Sequence, residues 1–173
     1  MTVWHLVVSL TLVLVAVLVQ TTIFRAVRPF DVSPDILLLM VIACGQWLKP
    51  EAAVLLGFVG GLMLDLFGTA PLGLHALAYT LAAYATVRVG DRFNYGLYFA
   101  VSAVGGITFV GIATVALIGT LFGEGTLASP GIVRTLVLVP AYNTVLALAV
   151  LPMTTWLYGT RLAPRYSRPG TPI

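Results

Sequence analysis

Charged residues are scarce in this sequence. Only 9% of its 173 residues are Asp, Glu, Lys or Arg, whereas soluble domains contain about 25%. Hydrophobic residues make up 60% and the mean hydropathy is +1.04. No stretch is polar enough to form a second, soluble domain. The composition therefore excludes an ordinary soluble protein and indicates an integral membrane protein, and a net charge of +3 gives no reason to expect a nucleic-acid partner.

Residues that bind metals or act as nucleophiles are also scarce. The single cysteine, Cys44, excludes an intramolecular disulfide and a multi-cysteine metal site. His5 and His75 are far apart, and no spacing is typical of a zinc or iron site. The sequence contains no HExxH, GxSxG or Walker pattern and no paired intramembrane carboxylates. We therefore predict no metal, no cofactor and no enzymatic activity.

Six apolar segments predict an all-α polytopic membrane protein with about six transmembrane helices. A spanning helix needs about 20 residues, and the second to fourth segments are shorter. Proline-containing links, KPE at 49–51 and GTAPLG at 68–73, separate these three. We expect some of them to be shielded from lipid or to cross only part of the bilayer. The segments are 4–24, 34–48, 51–68, 72–88, 96–122 and 132–159.

Basic residues predict the orientation, because cytoplasmic loops carry an excess of Lys and Arg. With six spans, the side that holds both termini has six basic residues and the other has three, which predicts cytoplasmic termini. The domain is then 1–160, followed by a short basic, proline-rich cytoplasmic tail at 161–173. The first segment lacks the basic start and the cleavage site of a signal peptide, so we expect a retained helix. The six are Lys49, Arg88, Arg92, Arg161, Arg165 and Arg168, and the three are Arg25, Arg28 and Arg134.

One acid, Asp65, interrupts the third apolar segment. It lies at helical spacing from Gly57, Gly61 and Gly68, on a stripe that should face protein because a lipid-facing acid is costly. Small residues on such a stripe allow close approach of another helix. The acid lies near the outer end of its helix. Three roles remain open, namely capping or packing at the following turn, docking of a partner, and ion chemistry with His75.

Two short motifs predict helix starts. In SPD, Ser33 is the expected N-cap, Pro34 fits the first turn, and Asp35 complements the positive end of the helix. In KPE, Pro50 and Glu51 serve in the same way.

The last segment contains PAYNT at 140–144. Pro140 predicts a kink in a membrane helix, and Asn143 is a candidate for a hydrogen bond to another helix. Such a bond could be purely structural, or Asn143 could line a small polar pocket.

Residues 33–84, SPDILLLMVIACGQWLKPEAAVLLGFVGGLMLDLFGTAPLGLHALAYTLAAY, resemble the MreD family of bacterial rod-shape-determining membrane proteins. The resemblance rests on the Pro-Asp helix start, the Lys-Pro-Glu link, the Gly-rich helix ending in Leu-Asp, and the Pro-Leu-Gly-x-x-Ala that follows. It implies structural or partner-docking roles for matching positions, and weaker candidates are His75 and Asn143. The matching positions are Pro34, Asp35, Gly57, Gly61, Asp65, Pro71 and Gly73.

The resemblance implies a non-catalytic scaffold subunit of the cell-elongation complex, which makes peptidoglycan in the bacterial inner membrane. The implied partner is an MreC-like bitopic protein. Through that partner, the resemblance implies association with the RodA glycosyltransferase, a penicillin-binding transpeptidase and the actin-like MreB.

The MreD family is also similar to the substrate-binding S components of energy-coupling-factor transporters, which are compact six-helix bundles. An S component of a vitamin transporter is therefore the alternative function. It predicts a polar, aromatic-lined pocket near the outer side.

Overall fold

Six α-helices form the protein in the computed structural model, which describes residues 3–26, 32–68, 71–92, 96–123 and 125–158. No strand occurs in these ranges. Each predicted apolar segment overlaps one helix, so the all-α prediction is confirmed. The predicted tail at 161–173 lies outside the described residues. The helices are α1 (Val3–Ala26), α2 (Ile36–Gly45), α3 (Pro50–Phe67), α4 (Leu74–Arg92), α5 (Leu97–Leu121) and α6 (Ile132–Tyr158), with a 3₁₀ turn at Thr126–Ala128.

Four helices within the described ranges are long and apolar enough to cross a membrane, namely α1, α3, α5 and α6. Their exposed surfaces carry large apolar side chains such as Leu14, Phe109 and Val145, which suit contact with lipid. The other two helices do not meet the same criteria. Helix α2 has ten residues, and α4 ends in a segment with Arg88, Asp91 and Arg92. The chain is an integral membrane protein.

Helix α2 forms the centre of the bundle. Eight of its ten residues are buried, and it contacts each of the other five helices. Its apolar residues point in all directions, which is typical of a helix that is surrounded by protein. The expectation that a short helix is shielded from lipid therefore holds for α2.

Helices α3 and α4 pack closely because α3 presents glycines to the α4 backbone. A β-carbon at Gly57 would lie 2.5 Å from the carbonyl oxygen of Tyr79, and one at Gly61 would overlap the carbonyl of His75. The glycine stripe was expected to face protein and to offer a docking face. It does face protein, but that protein is α4 of the same chain, so the stripe is not open to a partner helix.

An aromatic stack joins the start of α1 to the end of α6. The Tyr158 ring lies between those of His5 and Trp47, with centroid distances of 5.5 and 5.3 Å. The Tyr158 hydroxyl is also 2.6 Å from Ser9 Oγ. We call this the terminal end of the bundle. The opposite, or distal, end contains the α3–α4 turn and the 3₁₀ turn between α5 and α6.

The close α3–α4 contact predicts that Gly61→Ala destabilises the bundle. The added methyl must displace backbone, which should cost about 1–3 kcal/mol, as overpacking usually does. Gly106→Ala is the matched control, because a β-carbon there meets nothing within 4 Å. Thermal unfolding in detergent should show a lower melting temperature for Gly61→Ala only. Equal melting temperatures for the two variants would show that the contact is not close.

Candidate functional site

The Asp65 carboxylate caps the start of α4. It accepts backbone hydrogen bonds from Gly73 (2.9 Å), His75 (3.1 Å) and Ala76 (3.2 Å). Gly73 adopts a positive φ of 95°, which brings its N–H back towards α3. Amides at a helix start lack intrahelical partners, and a carboxylate also complements the positive end of the helix. Asp65 therefore connects the end of α3 to the beginning of α4.

The same carboxylate contacts the imidazole of His75. Nδ1 of His75 lies 2.7 Å from Oδ1 of Asp65. The Asp65 side chain is fully buried, whereas 23% of the His75 side chain is exposed. The histidine is thus held by the buried acid while part of its ring stays accessible.

Asp35 is the N-cap of α2. Its Oδ1 accepts a hydrogen bond from the Leu38 amide (3.0 Å), and its Oδ2 accepts one from the Tyr79 hydroxyl (2.6 Å). The expectation that Ser33 caps this helix was wrong. The helix begins at Ile36, after the aspartate, so Ser33 and Pro34 belong to the non-helical segment that leads into it.

Asn143 of α6 binds the backbone of Asp35 on both sides. Its Oδ1 accepts a hydrogen bond from the Asp35 amide (3.2 Å), and its Nδ2 donates to the Asp35 carbonyl (2.9 Å). Nδ2 also lies 3.4 Å from Thr108 Oγ1 of α5. This is the interhelical hydrogen bonding expected of Asn143, and here it holds non-helical backbone.

Gln20 of α1 holds the same segment from the other side. Its side-chain oxygen accepts from the Ile36 amide (3.0 Å), and its side-chain nitrogen donates to the Pro34 carbonyl (3.2 Å). With Tyr79 and Asn143, it brings α1, α4 and α6 together around the first residues of α2.

Asp35 lies inside the distal half of the bundle. Its partner Asn143 follows the first residue of α6 by 11 positions, and Thr108 precedes the last residue of α5 by 13, which correspond to about 16–20 Å along these long helices. Its partner Tyr79 follows the first residue of α4 by five positions, or about 8 Å. Asp65 is only two residues from the last residue of α3, so Asp35 is the more deeply placed acid.

A pocket of about 240 Å³, open on one side, lies between the distal parts of the helices. Asp35, Tyr79 and His75 all line it, and the His75 and Tyr79 rings make an edge contact at 5.8 Å. Its other polar lining residues are Gln20, Ser33, Thr126 and Thr135. Its apolar wall is formed by Leu64, Ile112, Val115, Ala116, Ile132 and Val139.

The candidate residues fall into two groups. Pro34, Asp35, Asp65, Gly73, His75 and Asn143 meet in the distal half of the bundle, and Pro71 lies in the same turn as Gly73. Gly57 and Gly61 instead form the α3–α4 contact.

Sequence reasoning missed Gln20, Tyr79 and Thr108. Gln20 could have been identified from the sequence, since it is an amide in an otherwise apolar segment. Tyr79 and Thr108 could not, because tyrosine and threonine are common in membrane helices.

The arrangement holds helix starts and side chains of this chain together through hydrogen bonds. Within the described ranges, no three His, Cys, Asp or Glu residues cluster as metal ligands would. Each carboxylate instead accepts hydrogen bonds from a helix start and one side chain.

Comparison with known protein families identifies a match along most of the chain. The family model described as rod shape-determining protein MreD matches residues 1–160. No curated protein and no solved structure matches the chain.

The capping geometry predicts that Asp65→Ala lowers stability by about 1–3 kcal/mol, because one buried and two partly buried amides lose their acceptor. Asp65→Asn should fall between the wild type and Asp65→Ala, since an amide oxygen still accepts hydrogen bonds. The control is Glu51→Ala, which removes an exposed acid in the first turn of α3. Chemical unfolding in mixed micelles measures the difference, and equal losses for the Asp65 and Glu51 variants would exclude a stabilising cap.

Proposed function

The chain belongs to the MreD family of rod-shape-determining membrane proteins, and we propose that it is a non-catalytic scaffold subunit of the cell-elongation complex. MreD proteins are part of the MreBCD shape system, and the family is not a known enzyme family. The family match over residues 1–160 is the observation that carries the proposal. It confirms the resemblance seen in residues 33–84.

The structure supports a scaffold role through the location of its polar groups. Within the described ranges, Asp35, Asp65 and Asn143 are buried and bind other parts of the same chain. The link between α2 and α3 is short, and so is the turn between α3 and α4. A partner therefore meets mainly the apolar helix surfaces and the turns.

We propose that a single membrane helix of an MreC-like bitopic protein docks on the exposed face of α5. Ser102 and Gly106 are exposed and lie four residues apart on this helix, and the Ser102 hydroxyl bonds to its own helix at Phe99. A partner backbone can approach such a face closely, as membrane helices do at small residues. Unlike Gly57 and Gly61, Gly106 has open space beside it.

The wider assembly follows from the same premise. RodA, a penicillin-binding transpeptidase and MreB are proposed to associate through the MreC-like partner. We place the protein in the bacterial inner membrane with both termini cytoplasmic, so that the terminal end faces the cytoplasm and the distal end the periplasm. The contact of His5 with Tyr158 supports a common side for the two termini.

A second candidate function is an S component of an energy-coupling-factor transporter. The pocket that Asp35, Gln20 and Tyr79 line is the observation in its favour, because that function requires a pocket with polar and aromatic lining residues. It predicts that a transporter ATPase co-purifies with the chain, whereas the scaffold predicts recovery of an MreC-like protein.

For the docking face, we predict that Gly106→Leu reduces recovery of the MreC-like partner about tenfold, a loss of about 1.4 kcal/mol. The control is Ala149→Leu, which adds the same bulk to an exposed position on α6. Both variants should insert into the membrane in wild-type amounts. Equal recovery of the partner with Gly106→Leu and with wild type would exclude this face.

For the orientation, we predict opposite accessibility of two exposed turns. In a Cys44→Ala background, Leu72→Cys at the α3–α4 turn should react with a membrane-impermeant maleimide in intact spheroplasts. Lys49→Cys at the α2–α3 link should react only after permeabilisation. Leu72 is 70% exposed and Lys49 is also exposed. The reverse pattern would place the termini in the periplasm.

A further inference from the structure

We propose that a groove between α4 and α5 at the terminal end holds one acyl chain of a phospholipid, whose ester carbonyl accepts a hydrogen bond from the Gln46 side chain. The inference goes beyond the scaffold function, which requires no bound lipid, and does not rest on it. It is carried by an unpartnered buried amide, by the shape of the groove, and by the order of polar and apolar residues along it.

Gln46 is buried, and its side chain has donors to spare. It directly follows the last residue of α2, only 8% of it is exposed, and it lines the groove. Within the part of the chain that the structure describes, its side-chain amide makes no hydrogen bond. Buried amides are nearly always paired with protein, water or a ligand, because an unpaired one is costly. The Gln46 amide is therefore available to a molecule in the groove.

The groove is narrow and mainly apolar. Its free space, counting the part that is open to the outside, is about 360 Å³, but the centre of a water-sized sphere can occupy only about 30 Å³ of it. Such a space admits one unbranched carbon chain and excludes a bulky ring system. Ordered water needs two to four polar partners. The polar lining residues are only Gln46 and Thr86, and the Thr86 hydroxyl already donates to the Ala82 carbonyl.

The groove opens towards the side of the bundle. Val89 of α4 and Ala103 of α5 form a half-buried rim, and Ile42 and Val104 behind them are buried. Ala103 lies six residues, or about 9 Å, beyond the first residue of α5. The opening therefore extends along the helix and faces the surrounding lipid.

The lining changes from polar to apolar with depth. Phe99 lies two residues after the start of α5, and Ile107 lies eight residues further on, about 12 Å deeper. Gln46 lies at the shallow end, because it precedes Trp47 of the aromatic stack. A phospholipid has the same order, since its esters lie in the interfacial region and its chains in the hydrocarbon core.

The exposed charges at the terminal end suit the phosphate of such a lipid. Lys49 and Arg88 are exposed there, and Glu51 is the one exposed acid among the side chains that are described at this end. Lys49 follows Gln46 by three residues. A lipid whose ester meets Gln46 therefore places its phosphate on a surface with net positive charge.

Native mass spectrometry of the full chain in detergent tests the ester contact. The probes are dioleoyl phosphatidylcholine and the matching dialkyl ether lipid, which has the same head group and chain length but lacks the ester carbonyl. One molecule of the ester lipid should bind about fivefold more tightly than the ether lipid, which corresponds to a hydrogen bond of about 1 kcal/mol. Equal affinities of the two lipids for the wild type would overturn the proposal.

The variant Gln46→Leu tests the assigned donor, because it keeps the bulk of the side chain and removes the amide. It should bind both lipids equally, with the affinity that the wild type has for the ether lipid. A preference for the ester that persists in this variant would contradict the role of Gln46.

The variant Ala103→Leu tests the location by filling the groove. It should weaken binding of both lipids about tenfold, since added bulk in a packed space is costly. Ala149→Leu adds the same bulk on α6 and should leave both affinities unchanged. Unchanged lipid binding in folded Ala103→Leu would overturn the proposal. If neither groove variant folds, the comparison of ester and ether lipids in the wild type still decides.

Discussion

The start of α2 lies inside the bundle, where side chains of the same chain bind its backbone, and the rest of the structure depends on these hydrogen bonds. Asp35 accepts the Leu38 amide, Gln20 accepts the Ile36 amide, and Asn143 binds the backbone of Asp35 itself. Non-helical backbone at such depth is tolerated only where it is buried in protein or lines a cavity. Here both conditions hold, and they explain why a ten-residue helix can be the centre of the fold.

At the turn between α3 and α4, nearer the distal end, a side chain likewise binds the backbone amides of a helix start. Asp65 caps α4, and the glycines of α3 bring the two helices close enough for the carboxylate to reach. Asp35, Asp65 and Asn143 therefore bind other parts of this chain, and the helix surfaces that remain for a partner are mainly apolar. That division is the basis on which we propose a scaffold role.

Hydropathy and turn chemistry predicted all six helices, because long apolar runs and proline links are local signals. They also located Asp65 at a turn that it could cap. They could not reveal the depth of Asp35, since that depends on Asn143 and Gln20, which are 108 and 15 residues away in the chain. The sequence also predicted that the glycine stripe faces protein. It could not predict that this protein is α4, because that contact depends on the tertiary structure.

Amide hydrogen exchange in bilayer nanodiscs tests the central claim, that side chains of this chain satisfy helix starts inside the membrane. Peptides covering 32–40 and 71–78 should exchange slowly in the wild type. Asp35→Asn should speed exchange in the first, and Asp65→Asn in the second. Fast exchange of both peptides in the wild type would contradict the account, because it would mean that water, and not Asp35 and Asp65, satisfies these amides.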